Sequence, residues 1–211
     1  QSWKAGAWPC AEHTGGSKVI VLVGMPGSGK SSAGRQVARR FGLPFVDSDH
    51  EIEQQIGMSI REYFETQGEQ AFRDLETALL RRVAESGEQI VLSTGGGALL
   101  REENREILRQ HGTVLYLRAS PEEIYRRLRH DTKRPLLQVA DPRQKLQELF
   151  QTRDPLYLKT AHYVIDTGRS SIQVLVSHIA MQLEMAGLVP QGETPPRPPR
   201  APGPQGRRSR G

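Results

Sequence analysis

The sequence predicts a doubly wound α/β fold built on a parallel sheet of five strands. Short apolar runs alternate with segments of helical periodicity along the 211 residues, a pattern typical of a parallel sheet covered by helices on both faces. The first apolar run, at residues 19–23, leads directly into a glycine-rich turn and then into a helical segment. A chain of this length buries a sizeable core, so we expect one domain that carries inserted subdomains.

The elements follow one another in a regular order. Strands are predicted at residues 19–23, 43–46, 89–94, 113–117 and 162–166. Helices are predicted at residues 31–41, 99–111, 121–128, 142–160 and 170–187. Gly42 ends the first of these helices, and Ser120 with Pro121 opens the third, because serine caps helix N-termini and proline suits the first helical position.

The turn after the first strand reads GMPGSGKS at residues 24–31, which is the pattern GxxxxGK[S/T]. Backbone N–H groups of such a loop can surround a polyphosphate, while the lysine attracts the β- and γ-phosphates and the serine binds bridging Mg²⁺. The alternative is a glycine-rich turn that merely joins a strand to a helix, but the apolar strand in front favours a nucleotide site. The predicted ATP ligands in this loop are Gly27, Ser28, Gly29, Lys30, Ser31 and Ser32.

Composition excludes several other classes of protein. The net charge is +5, but the segment from residue 191 contributes five arginines against one glutamate and leaves only +1 for the rest, so a nucleic-acid partner is not predicted. Cys10 is the only cysteine, which suits a reducing compartment. No apolar run reaches the roughly 18 residues of a membrane span, and residues 1–17 lack the apolar core of a secretory signal. We expect a cytoplasmic monomer with no membrane partner.

Two acids, Asp47 and Asp49, follow the second strand. The carboxyl end of a strand beside a phosphate loop is where open α/β sheets bind ligands. If this segment is extended, Asp47 and Asp49 face the same cleft and Ser48 faces away. The acid nearer to the phosphate loop would then serve Mg²⁺, and the farther acid would serve the hydroxyl that accepts the phosphoryl group.

A long helical segment with breaks at Gly57 and Gly68 separates the second and third strands. It exceeds a plain crossover, and we interpret residues 48–86 as an inserted substrate-binding subdomain. Capping boxes are predicted at Ser59 and, with a poorer fit, at Thr66. Arg73 is the notable cation of this insert, although the residue by itself favours the interpretation of a solvated helix charge over that of a ligand.

Two further segments have two interpretations each. Gly95, Gly96 and Gly97 follow the third strand and form either a loose turn or a backbone that approaches a ligand closely. The basic segment at about residues 129–141 is either a lid that brings Arg134 to the transferring phosphate or an ordinary charged loop.

Both ends of the chain read as flexible. Residues 1–17 have no helical or strand period, although Trp3 and Trp8 could contact a partner. Residues 189–211 are rich in proline and arginine and nearly lack apolar side chains, so we expect a disordered tail, either passive or a weak ligand of a polyproline-binding or polyanionic partner. The folded body is thus assigned to residues 18–188.

With these motifs in order, the chain closely resembles shikimate kinase over about residues 18–188. The resemblance rests on the phosphate loop, the two acids and the three glycines, together with FR at residues 72–73, RPLL at 134–137 and RDPLY at 153–157. Each motif is weak alone, but six in the right order are specific. The resemblance implies a fold like that of nucleoside monophosphate kinases, and transfer of the γ-phosphoryl of ATP to the 3-hydroxyl of shikimate in aromatic amino acid biosynthesis.

The resemblance also implies roles for the phosphoryl-transfer residues. Lys30 and Arg134 would stabilise the migrating phosphoryl group. Ser31 and Asp47 would hold Mg²⁺, and Asp49 would bind shikimate hydroxyls and act as the base.

On the acceptor side, the resemblance implies that Arg73 and Arg153 bind the carboxylate of shikimate and that the turn at Gly95 and Gly96 holds the ring. Arg127 falls where the family has an arginine that stacks on adenine. This agrees with the chemistry of the residues, because a small anionic acid suits planar guanidinium groups. The departures are modest: Ser32 replaces a common threonine, and the loop at residues 167–170 is left without an assigned contact to adenine.

Two rival functions stay open. One is a kinase of another small acceptor, such as gluconate or a nucleoside monophosphate, although an acceptor phosphate would call for more cations than the insert offers. The other is a regulator that uses a shikimate-kinase-like domain as a ligand sensor. It would need a DNA-binding helix-turn-helix, and residues 1–17 are too short for one.

Overall fold

The computed structural model describes residues 19–129, 139–168 and 170–190. The strands in these residues are β1 (Val19–Val23), β2 (Phe45–Asp47), β3 (Ile90–Ser93), β4 (Gly112–Arg118) and β5 (Tyr163–Asp166). The helices are α1 (Lys30–Phe41), α2 (Ser48–Ile56), α3 (Ile60–Ala84), α4 (Glu102–His111), α5 (Pro121–Leu128), α6 (Pro142–Thr160) and α7 (Ile172–Met185). A single 3₁₀ turn, Ala98–Leu100, precedes α4.

The five strands form one sheet in the order β2-β3-β1-β4-β5, and every neighbouring pair is parallel. After β1 the chain first forms the edge strand β2, returns to place β3 between β2 and β1, and then crosses to the other side of β1 for β4 and β5. Ligands of open α/β sheets bind where the strand order reverses in this way, at the carboxyl ends of the strands. The predicted doubly wound parallel sheet is confirmed, and the end of β1 lies at this point.

Alternate residues of β1 belong to two hydrophobic cores, one on each face of the sheet. Val19, Val21 and Val23 pack on one face with buried side chains of α3, α4, α5 and α6. Ile20 and Leu22 pack on the other face with α1 and α7. Because both faces of the strand are covered, all five residues are buried, which explains why the strand reads as a continuous apolar run.

The boundary between β2 and α2 differs from the sequence prediction. Asp47 is the last residue of the strand and the N-cap of α2, and its carboxylate accepts a hydrogen bond from the His50 N–H at 3.5 Å. Ser48 and Asp49 therefore lie in the first helical turn and not in an extended segment. An aspartate is a favoured N-cap and a further acid stabilises the first turn, so local capping prevailed over strand extension. The argument from strand alternation is wrong for these residues.

Other predicted helix signals are largely confirmed. Gly57 ends α2 in a left-handed conformation, and Gly68 interrupts α3 with φ 84° and ψ 165°. Ser59 caps α3 by accepting the Glu62 N–H at 3.2 Å. The second predicted cap is wrong, because the Thr66 hydroxyl donates back to the Glu62 carbonyl at 2.9 Å and lies within the helix.

The later elements need smaller corrections. The predicted helices at residues 121–128 and 142–160 match α5 and α6, and Ser120 forms a full capping box with Glu123. The helix predicted at residues 99–111 starts with the 3₁₀ turn and becomes α-helical only at Glu102. Val189 is 6% exposed and packs into the core, so the folded body extends past the predicted boundary at residue 188.

Several predicted features lie outside the described residues. They are the leader at residues 1–17, Arg134 with most of the proposed lid, and the tail beyond residue 190. Among the helices that the structure does describe, none combines the length and the apolar character that crossing a bilayer requires.

Candidate active site at the carboxyl ends of the strands

The phosphate loop joins the end of β1 to the start of α1. Gly24 has φ 148°, and a Cβ on this residue would lie 2.6 Å from the Leu117 carbonyl oxygen, so the tight exit from β1 requires glycine. Gly29 is the N-cap of α1 and supplies no side-chain cap, and the first turn contains no acid. The first N–H groups of α1 are therefore left for an anion, which the helix dipole also favours.

Lys30 folds back onto this loop. Its ammonium donates to the carbonyls of Gly24 and Met25, both at 2.9 Å, and the residue is only 7% exposed. Ser28 is fully buried in the same loop, and within the described residues its hydroxyl has no hydrogen-bond partner. The loop thus gathers a buried cation and an unpaired hydroxyl around the predicted phosphate position.

The two predicted Mg²⁺ ligands, Ser31 and Asp47, are both neighbours of Ser93 in β3. The Ser31 and Ser93 hydroxyl oxygens are 3.3 Å apart, and Asp47 lies opposite Ser93 in the register of β2 and β3. Residues paired across neighbouring strands project from the same face of a sheet. A hydroxyl and a carboxylate are therefore available on one side of the sheet, and both are hard oxygen donors of the kind that Mg²⁺ prefers.

The carboxyl group of Asp49 lies beside Gly95, near Lys30 of the phosphate loop and Arg73 of α3. Burial in the cleft raises the pKa of its carboxyl group, the charge of Asp47 raises it further, and Lys30 and Arg73 pull it down by less. Asp47 and Asp49 are thus close enough for their charges to interact, and the shared cleft stays a prediction. Ser48, predicted to face away, is instead fully buried, and its hydroxyl accepts the Gly95 N–H at 2.8 Å, because the helical turn rotates it toward the glycine turn.

Arg73 is a partly buried, paired cation and not a solvated helix charge. Its side chain is 13% exposed, and its guanidinium donates to Glu76 at 2.7 Å and to Glu69 at 3.1 Å. It lies beside Gly97 and above the rings of Phe64 and Phe72. The arginine thus reaches the glycine turn with a fixed orientation.

Glu76 is a site residue that the sequence reasoning missed. Its side chain is 1% exposed, and burial raises the pKa of its carboxyl group more than the attraction of Arg73 lowers it. For Arg73, burial acts to lower the pKa of the guanidinium, but pairing with the carboxylates of Glu76 and Glu69 outweighs burial and raises it. Within the described residues Glu76 Oε1 has no hydrogen-bond partner, and it lies next to Gly95. The sequence contained a signal for Glu76, because residues three apart on a helix are neighbours and Glu76 follows Arg73 at that spacing.

The carbonyl of Gly96 accepts hydrogen bonds from two side chains of α6. Arg153 donates to it at 3.0 Å and the Tyr157 hydroxyl donates to it at 2.6 Å. On its other side Gly96 packs against Pro26 of the phosphate loop, where a Cβ would lie 2.7 Å from the proline Cδ. A side chain at residue 96 would therefore push the glycine turn and the phosphate loop apart. Tyr157 is a second site residue that the sequence reasoning did not assign.

Arg127 connects the phosphate loop with the loop after β5. Its guanidinium donates to the Gly168 carbonyl at 2.7 Å and to the Ser28 carbonyl at 3.4 Å, and it also contacts Thr167. The loop that sequence reasoning left unassigned is thus brought next to the predicted adenine contact. Arg134, the other predicted nucleotide ligand, lies outside the described residues.

Comparison with known proteins agrees with this arrangement. The family model described as shikimate kinase matches residues 26–184. The shikimate kinase of Paracidovorax citrulli is 57% identical over 173 residues, covering 81% of this chain and 94% of the relative, and that of Burkholderia thailandensis is 52% identical over 170 residues, covering 81% and 92%.

Solved structures give the same result. The structure described as shikimate kinase from Acinetobacter baumannii in complex with shikimate has a TM-score of 0.75 at 44% identity, covering 81% of this chain and 94% of that one. Shikimate kinase from Bacteroides thetaiotaomicron has a TM-score of 0.72 at 33% identity, covering 79% and 98%. The phosphate loop, the two acids and the arginines around the glycine turn thus stand in a chain that belongs to the shikimate kinase family.

Proposed function

We propose that this protein transfers the γ-phosphoryl group of ATP to the 3-hydroxyl of shikimate, giving shikimate 3-phosphate and ADP in the pathway to chorismate and the aromatic amino acids. The observation that carries the proposal is the convergence of Asp49, Arg73 and Arg153 on the turn of three glycines, directly beside the phosphate loop. Membership of the shikimate kinase family and the shikimate bound to the related Acinetobacter enzyme support the same acceptor.

The acceptor is held by charge and by shape. Arg73 and Arg153 supply planar guanidinium groups that suit bidentate contact with the single carboxylate of shikimate. Glu76 keeps Arg73 in place through its 2.7 Å bond and has one oxygen left for a ligand hydroxyl. The backbone of Gly95 and Gly96 forms the floor on which the ring rests.

Phosphoryl transfer then needs little covalent help from the protein. Asp49 accepts the proton of the 3-hydroxyl while that oxygen bonds to the γ-phosphorus and the bond to the bridging oxygen of ADP breaks. A raised pKa suits a carboxylate that takes the proton late in a loose transition state. Lys30, and Arg134 from the proposed lid, stabilise the negative charge of the migrating group.

Ser31 and Asp47 are the residues that would hold Mg²⁺, Asp47 through water. The pair fits the ion, because Mg²⁺ in kinases takes one or two protein oxygens and completes its shell with water and phosphate. When bound, the ion supplies positive charge shared between the β- and γ-phosphates.

The remaining parts of the proposal concern the nucleotide and the organisation of the chain. Arg127 stacks on adenine between the phosphate loop and Gly168, whose carbonyl it now contacts. Residues 48–86 act as the acceptor-binding insert and residues 129–141 as the lid. One chain supplies every proposed contact, so we infer a monomer, placed in the cytoplasm where ATP is available.

The direct test is an ADP-release assay of the full chain with Mg-ATP and a panel of acceptors. Shikimate is expected to support turnover, whereas gluconate, AMP and GMP give only the background rate. Turnover with gluconate or a nucleotide instead would contradict the proposal. Binding of shikimate without any ADP release would favour the ligand-sensor alternative.

Removing either of the two arginines proposed to bind shikimate should weaken the binding of shikimate and leave the binding of ATP nearly unchanged. We expect Arg73→Ala and Arg153→Ala each to weaken shikimate binding by roughly 2 to 4 kcal/mol, because a buried charged hydrogen bond is lost, with ATP affinity changed only a fewfold. Titration calorimetry with each substrate measures both effects.

Two variants serve as controls for this experiment. Arg81→Ala removes an exposed arginine from the same helix and should leave both affinities unchanged. Arg73→Lys keeps the charge but loses the planar fork, and it should recover only part of the binding. A weaker ATP affinity in Arg73→Ala, with shikimate unaffected, would show that the insert is misplaced in this interpretation.

A further inference from the structure

Asp154, the neighbour of Arg153 in α6, accepts hydrogen bonds from two side chains of β4. Arg118 donates to both carboxylate oxygens, from Nε to Oδ1 at 2.9 Å and from Nη2 to Oδ2 at 2.8 Å. The Tyr116 hydroxyl donates to Oδ1 at 2.7 Å. Asp154 is 8% exposed, and a bidentate pair of this kind holds a side chain in one orientation.

The helix around Arg153 needs such support. Pro155 lies inside α6 and has no N–H to donate, and its ring disfavours the helical conformation of the residue before it. The backbone at this point is therefore held less by helical hydrogen bonds and more by tertiary contacts. On one side Arg153 and Tyr157 reach the Gly96 carbonyl, and on the other side Asp154 reaches β4.

The partner strand offers a firm anchor. The Tyr116 ring packs against the Tyr157 ring with their centroids 4.9 Å apart, so the two ends of this contact network also touch each other. The backbone carbonyl of Arg118 accepts the Thr167 N–H at 2.8 Å, which ties the end of β4 to the loop after β5. The guanidinium of Arg118 thus projects from backbone that is itself hydrogen-bonded.

We infer that Asp154 is a positioning residue for the acceptor site: by binding Arg118 and Tyr116, it sets where α6 presents Arg153 to the substrate. The inference rests on the proposed function, since it takes Arg153 as a ligand of the acceptor carboxylate. Asp154 does not bind substrate itself, because both its oxygens are engaged by β4. A guanidinium displaced by about 1 Å loses its alignment with a carboxylate, and errors of this size are costly in enzyme sites.

The test compares steady-state kinetics of Asp154→Asn with those of the wild-type full chain. The amide keeps the size of the side chain and can still accept from Tyr116, but it loses the charged fork with Arg118. The KM for shikimate is expected to rise about tenfold, while kcat stays within about threefold and the KM for ATP within about twofold. Asp154→Glu keeps the charge and should recover part of the loss.

Arg118→Gln tests the same bond from its other side. Its side chain is 42% exposed, and glutamine can still donate one hydrogen bond to Asp154, so this milder change serves if Asp154→Asn does not fold. Melting temperatures of both variants check that they are folded. Arg118→Gln should raise the KM for shikimate in the same way, and the double variant should be no worse than the more affected single variant, because both remove one interaction. Glu103→Gln breaks an exposed ion pair with Arg81 and should change neither KM.

Three results would overturn the inference. They are an unchanged KM for shikimate in the variants, an equal rise in the KM of both substrates, and fully additive effects in the double variant. An equal rise that accompanies a lower melting temperature would indicate a purely structural role. Failure of the wild-type chain to phosphorylate shikimate would instead count against the proposed function, so the two failures can be told apart.

Discussion

Replacing Lys30 by methionine is expected to lower kcat at least about a hundredfold, because the lysine charge matters most while the phosphoryl group moves. Methionine has nearly the same length and fits a buried position, but it cannot donate to phosphate. In the structure the ammonium already lies within the phosphate loop, 2.9 Å from two backbone carbonyls. Methionine also removes these two loop contacts, so the rate is compared together with the melting temperature to separate a lost charge from a disturbed loop.

Steady-state rates at saturating Mg-ATP and shikimate, with melting temperatures alongside, measure this effect. Lys145→Met removes an exposed lysine of α6 and should leave kcat unchanged. Turnover close to the wild-type rate in a folded Lys30→Met variant would remove the loop lysine from catalysis.

Asp49→Asn is expected to reduce kcat by about 10² to 10⁴, since the amide keeps the shape of the side chain but cannot take the hydroxyl proton. The Mg²⁺ concentration that gives half the maximal rate should stay as in the wild type. Asp47→Asn should show the opposite pattern, with a higher Mg²⁺ requirement and a smaller loss of kcat at saturating Mg²⁺. Asparagine is also a good N-cap, so this change preserves the start of α2.

Magnesium titrations of kcat for both variants decide whether the two acids have separate tasks. Asp141→Asn changes the N-cap of α6 in the same chemical way and should leave the titration unaltered. Two identical Mg²⁺ titrations for the Asp47 and Asp49 variants would contradict the division of labour. Lower stability with little kinetic change would show that the acids serve only as helix caps.

The dependence of the rate on pH gives a second measure of Asp49. A base must be deprotonated to act, and the pKa of Asp49 is raised by burial and by Asp47. In the wild type, kcat/KM should therefore fall on the acid side at a higher pH than an ordinary carboxyl group would give. The Asp49→Asn variant should lack this acid limb, and the same limb in both proteins would assign it to another group.

Local patterns in the sequence were enough for the fold and for the phosphate loop. The spacing of glycines, lysine and serine at residues 24–31 acts within one turn of chain, and the loop lies where it was expected, between β1 and α1. Ser120 and Pro121 likewise start α5 by contacts within one helical turn. The three central strands, β1, β3 and β4, were found because both their faces are buried, which leaves an apolar run in the sequence.

The acceptor side depended on contacts between distant parts of the chain. Sequence reasoning by itself favoured a solvated charge for Arg73, and only the resemblance to shikimate kinase suggested a ligand. The structure shows this arginine partly buried, paired with Glu76 and beside Gly97. Arg153 reaches the Gly96 carbonyl from 57 residues away. No local preference encodes such a meeting.

The physical reason is the range over which each interaction acts. Helix caps, glycine turns and apolar periodicity follow from neighbours a few residues apart, so the sequence by itself determined the order of elements and the place of the glycine-rich loop between β1 and α1. Whether a charge is buried depends on the partners that the fold brings to it, because an unpaired buried charge is too costly to keep. Only the tertiary structure therefore decided the partial burial of Arg73, its pairing with the buried Glu76 and the hydrogen bonds from β4 to Asp154.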